Sequence, residues 1–213
     1  MQKLYEKSRI WFAIAWIIVY VIGASVADSL SASLGTEKSV TFLFLLILSA
    51  VALVWMKKNG LFATYGLCKT DVPASRFLYY LPLVFLASVN LWHGVTMNLP
   101  LHETLLYIGS MILVGFLEEL IFRGFLFKAM SKDSLKSAII VSSITFGIGH
   151  IVNLFNGSGM DLVSNFCQVG SAIAFGFLFA GFCTKAFMFP FQPLAADAHA
   201  VAPASISMMI SGV

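Results

Sequence analysis

The stretch Gly115–Phe127, GFLEELIFRGFLF, puts two glutamates and an arginine inside an otherwise apolar run. Around it the apolar residues extend from about Leu105 to Phe127, the length needed to cross a hydrocarbon core. Five further blocks of similar texture precede and follow it: Ile10–Ala27, Val40–Met56, Phe77–Val95, Ala138–Phe155 and Val163–Thr184. Backbone groups in lipid must be bonded within their own segment, so the blocks read as helices. The fold class is therefore all-α, a multi-pass transmembrane helical bundle of about six spans with an irregular C-terminal tail. The chain is 59% hydrophobic and only 11% charged over 213 residues, with a mean hydropathy of +0.91. A soluble domain carries about twice that charge, and almost no chain is left over to cover six buried helices in water.

Charge placement orders the spans. Lys3, Lys7 and Arg9 precede the first block, Lys57, Lys58, Lys69 and Arg76 follow the second, Lys128, Lys132 and Lys136 follow the fourth, and Lys185 follows the sixth. The alternate loops hold only Lys38. An excess of Lys and Arg marks the cytoplasmic side, so the expected protein sits in the cell membrane with a cytoplasmic N-terminus. The lipid bilayer is its surroundings, and no basic patch calls for nucleic acid. ASVADS near residue 24 has the small residues of a signal cleavage site, but the block before it is long for one, and an uncleaved span keeps the alternation. Cys68, Cys167 and Cys183 have no CxxC spacing, so neither a disulfide framework nor a zinc site is expected. No oligomeric state follows from the sequence.

Three pieces are distinguished along the chain: N-terminal helices over 1–104, core helices over 105–189 and an atypical tail over 190–213. Within the sixth block Ala172, Gly176 and Ala180 recur every four residues, a small-residue face that lets a neighbouring helix approach. The tail, with Pro190, Pro193 and Pro203, differs in texture from everything before it. It reads as a truncated or frameshifted end.

Glu118, Glu119 and Arg123 are the only formal charges well inside an apolar block. Ionisable groups at that depth are costly unless paired and mark a functional site by default. On a regular helix Glu119 and Arg123, four apart, share a face, whereas Glu118 lies about 100° around the axis. One glutamate is thus accounted for by pairing and one is left over. Of the four histidines, His93 and His102 fall near the outer end of the third span and in the next loop, and His199 is in the tail; only His150, in ITFGIGHIVNLF, lies well inside a block. Counting from Lys128, Glu118 stands roughly 15 Å from the cytoplasmic edge, and His150, counting from Lys136, roughly 21 Å. Consecutive antiparallel helices therefore bring a carboxylate and an imidazole to similar depth, with Phe146 one turn before His150 and Asn153 just after it. Such a pair in a water-poor cavity suits acid/base chemistry: a water activated by Glu118 attacking a carbonyl, with His150 holding that water or donating to the oxyanion. A charge network that only pins helices together is the competing account. HExxH is absent and adjacent glutamates cannot both face one ion from a regular helix, so no metal and no cofactor is expected.

Glu118-Glu119-x-x-x-Arg123 followed by Phe146-x-x-x-His150 on the next helix resembles the CPBP family, the type II CAAX prenyl endopeptidases and bacteriocin-processing or immunity proteins also called Abi. The similarity covers about Leu105 to Lys185. The resemblance implies an intramembrane glutamic endopeptidase without a required metal, acting on a peptide or protein substrate in the membrane by CAAX-type or leader-peptide processing. It makes Glu118 the water-activating residue, His150 the second-motif histidine, and Glu119 with Arg123 the supporting pair. The family's third motif, His-x-x-x-Asn or Asp, is missing: the candidate is His199, with Pro203 where the Asn or Asp belongs. Lost oxyanion donors are worth about 3–4 kcal/mol, which implies weak or no turnover. Two alternatives stand beside the enzyme: a non-enzymatic immunity factor or scaffold of the same fold, favoured by the missing motif, and a small-solute transporter, which the absence of an internal repeat disfavours.

Overall fold

A computed structural model of the chain describes residues 1–67, 78, 81–88, 92, 99–154 and 161–186, the side chains of 82, 83, 86, 87, 153, 175 and 178–186 excepted. Every regular element in it is helical: α1 (Gln2–Lys7), α2 (Arg9–Ser33), α3 (Ser39–Lys58), α4 (Leu81–Ser88), α5 (Leu101–Met130), α6 (Leu135–Gly149) with a 3₁₀ continuation (His150–Leu154), and α7 (Leu162–Ala186). Four of them are long and apolar enough to cross a membrane: α2, α3, α5 and the Leu135–Val152 stretch. About half of the expected third span, Phe77–Val95, lies outside the described residues, as do His93, His199 and the tail over 190–213.

The helix ends follow from local chemistry. Ser8 Oγ accepts the Trp11 amide at 3.3 Å and Ser134 Oγ accepts the Ser137 amide at 3.2 Å, each taking up a donor that the first turn leaves orphaned. The α2–α3 turn is tighter. Lys38 holds φ 59°, and its helix is capped from α2: Ser31 Oγ accepts the amides of Val40 and Thr41 at 3.1 and 3.2 Å. Asp28 Oδ1 accepts from Lys38 Nζ at 2.8 Å and from Thr41 Oγ1 at 2.6 Å. These polar side chains staple two helices whose contact is otherwise apolar.

α5 is the centre of the bundle, packing against α2, α3 and α6. It is also where the structure departs from the regular helix expected from sequence. Leu101–Glu118 is α-helical, Glu119–Phe127 is a π-helix, and Lys128–Met130 returns to α. All eight residues from Leu120 to Phe127 are buried, so this segment is covered on every side. A π-helix has poorer intrinsic stability than an α-helix, and the surrounding side chains hold it.

Helices elsewhere bury one side and turn large apolar residues outward: Trp11, Ile22, Ile47, Ile112 and Val163 are each more than half exposed. Apolar surface on this scale suits lipid. α6 and α7 approach most closely where they carry small residues. A Cβ added at Gly147 would meet Ile173 Cγ1 at 2.2 Å and the Val169 carbonyl oxygen at 3.0 Å, and one added at Gly176 would meet Ser143 at 3.0 Å. Gly176 and the buried Ala172 are members of the small-residue face read from sequence; the side chain of Ala180 lies outside the described residues.

Candidate active site

A cavity of about 330 Å³ runs between α2, α3, α5, α6 and α7. Its inner part is bounded by Tyr20, Glu118, Phe122, Phe146 and His150, and it extends past Tyr107 and Met111 to Asp28 and Lys38 at the α2–α3 turn. Gln168 borders it from α7.

Glu118 and His150, 32 residues apart in sequence, thus border one space. Glu118 is the last α-helical residue of α5 before the π segment. Its Oε1 accepts a hydrogen bond from the Tyr20 hydroxyl at 3.0 Å. His150 stands where α6 tightens into 3₁₀, and its Nδ1 lies 3.1 Å from the Phe146 carbonyl oxygen. A carbonyl can only accept, so Nδ1 carries the proton and a neutral ring has its lone pair on Nε2. The ring is braced edge-on by Phe146 at 5.1 Å, and the His150 carbonyl accepts from the buried Asn165 Nδ2 at 3.0 Å.

Glu119 and Arg123 are not among the described residues lining the cavity. Arg123 is 3% exposed and lies 3.8 Å from Glu119 Oε1, an ion pair at the four-residue spacing read from sequence, though longer than a hydrogen bond. Its guanidinium sits 4.2 Å above the Phe146 ring, a cation–π contact strengthened by desolvation. Phe146 therefore touches both groups: His150 along its edge and Arg123 on its face. Phe122 meets Phe146 at 5.4 Å and closes the stack. The side chain of Asn153 lies outside the described residues. His102 stands at the start of α5 beside Glu103, at 3.6 Å, and is exposed.

Sequence reasoning missed Tyr20, Gln168 and Asn165. Tyr20 left one signal, a lone hydroxyl-bearing side chain within Ala15–Ala24, AWIIVYVIGA. The two amides on α7 left only their polarity in an apolar block.

Fold and cavity together define a multi-helical membrane protein with a buried polar site inside its bundle. Residues 100–188, which hold α5, α6, α7 and the charged stretch, match the family model for type II CAAX prenyl endopeptidase Rce1-like proteins. This is the family that the Glu118-Glu119-x-x-x-Arg123 and Phe146-x-x-x-His150 motifs resemble. No curated protein and no solved structure matches the chain.

Proposed function

We propose that this protein is an intramembrane endopeptidase in which Glu118 activates a water for attack on a peptide carbonyl. The observation that carries the reading is that Glu118 and His150, from different helices, line one cavity in the family-matched region. The water oxygen adds to the carbonyl carbon while Glu118 takes its proton. Collapse of the tetrahedral species breaks the C–N bond, and Glu118 returns the proton to the departing nitrogen. With Nδ1 tied to the Phe146 carbonyl, His150 has Nε2 left to accept a hydrogen bond from the water. That favours the water-holding role over donation to the oxyanion. The Gln168 amide, on the same cavity, is a donor of the right kind for the oxyanion. Glu119 and Arg123 support the site through Phe146. The substrate is a CAAX-type or leader peptide.

The Lys/Arg pattern supports a cytoplasmic N-terminus. The cavity then extends toward the outer face, because Asp28 and Lys38 stand at the opposite end of the bundle from Lys57, Lys58 and Lys128. Cysteines introduced near Lys132 are expected to label from the cytoplasm and those near Glu103 and Asp161 from outside; the reverse pattern would overturn the orientation.

The deciding experiment is cleavage of a fluorogenic membrane peptide by the purified protein. Glu118→Gln is expected to lower turnover by about 10²–10⁴-fold, the range for a general base, with folded yield retained. His150→Ala is expected to lower it too, with the double variant no worse than the more damaging single. Turnover that survives Glu118→Gln would sink the reading. If Glu118 only pins helices in a non-enzymatic relative, favoured by Pro203 at the third motif, its Gln variant instead loses folded protein.

A further inference from the structure

Tyr20 belongs to α2, outside the family-matched residues 100–188. It is 7% exposed, with neighbours in sequence that are all apolar. A phenol at such a place needs a partner, because burial strips the hydroxyl of its water and only another hydrogen bond compensates. Phenylalanine would fill the same shape without that demand. The partner is Glu118: the hydroxyl donates to Oε1 at 3.0 Å across 98 residues of sequence. Among the described residues no other side chain is hydrogen-bonded to that carboxylate.

A carboxylate at the end of a glutamate side chain can rotate about its last torsion, and only one orientation offers an oxygen to a given water. Donation to Oε1 removes that freedom. It occupies one oxygen, fixes the carboxylate plane, and leaves Oε2 as the oxygen with lone pairs for the cavity. The π segment starts at the following residue, so the backbone there turns at a different pitch from the helix that carries Glu118. A tether from α2 fixes the side chain independently of that change.

We propose that Tyr20 is a positioning residue that orients Glu118, assigning Oε1 to the phenol and Oε2 to the attacking water. The proposal rests on the endopeptidase reading above and adds to it a residue from a helix that the family match does not reach. A structural alternative is that the bond merely staples α2 to α5.

Tyr20→Phe separates the two, since it keeps the ring and its packing. Orientation predicts that kcat falls about 10–100-fold, since a misplacement of about 1 Å at the reacting groups can cost about 10²-fold, while KM stays within about twofold. A staple predicts a lower melting temperature with kcat per folded molecule unchanged. In a Glu118→Gln background, Tyr20→Phe is expected to lower turnover no further. Turnover lost in Glu118→Gln but intact in Tyr20→Phe overturns the proposal alone; turnover that survives Glu118→Gln removes the reading beneath it. A measurement without substrate covers the same bond. The infrared carboxylate band that vanishes in Glu118→Gln is expected to shift in Tyr20→Phe, and an unmoved band overturns the proposal.

Discussion

The two ends of the bundle are built on opposite principles. Where α2 begins and α3 and α5 end, the interior is an aromatic plug. Phe125 meets Phe12, Trp16, Trp55 and Tyr65 at ring distances from 5.1 to 6.1 Å, and Tyr5 stands edge-on to Phe12 and Trp55. Phe12, Phe125 and Phe127 are at most 1% exposed, and the Tyr5 and Tyr65 hydroxyls bond each other at 3.2 Å. Nearby, Lys128 Nζ donates to the Thr64 carbonyl. At the other end the cavity opens beside the same three helices, and polar groups line it from Glu118 to Lys38. Rings hold one end by close packing, the main attraction available between helices in lipid. At the other end Phe44 and Phe42 of α3 pack against Gly23 of α2 and Gly109 of α5, and the Asp28, Ser31, Lys38 and Thr41 staple adds polar bonds between α2 and α3. Stability and chemistry are thus divided along one bundle. Glu119, Arg123 and Phe146 stand at the join.

That division can be broken by substitution. The largest loss of stability is expected from Phe125→Ala, which empties the centre of the plug at a cost of about 3–5 kcal/mol. Thermal denaturation in detergent measures it, and turnover per folded molecule is expected to hold. Loss of turnover beyond loss of fold would show that the two ends are coupled. Arg123→Ala tests the join. It leaves Glu119 without its cation, and breaking one side of a buried pair costs about 3–5 kcal/mol in soluble proteins. Folded yield is expected to fall, and Glu119→Gln with Arg123→Met to be milder than Arg123→Ala alone. A double variant worse than the single would refute the pairing. Smaller again is Gly147→Ala, which forces a methyl against Ile173 and the Val169 carbonyl. Overpacking of this kind costs about 1–3 kcal/mol. It sharpens the comparison because α6 carries His150: a stability loss accompanied by lower kcat would show that α6–α7 spacing sets the position of the imidazole.

Composition and charge pattern were enough to state an all-helical membrane bundle, because lipid permits little else for apolar segments of this length. The charged stretch was equally legible: Glu118, Glu119 and Arg123 stand out where any charge is expensive, and four-residue spacing predicted the Glu119–Arg123 pair. Helical rise brought Glu118 and His150 to comparable depth, since depth depends only on counting residues from the membrane edge. Other features depend on contacts across many residues, which no local pattern encodes. The π segment over Glu119–Phe127 is held by packing on every side, and its residues read as ordinary α-helix. The His150 tautomer is set more locally, by the Phe146 carbonyl one turn back along α6. Tyr20 looked like one more aromatic residue in an apolar helix. Only the packing of α2 against α5, 98 residues later in the chain, gave its hydroxyl a carboxylate to bond.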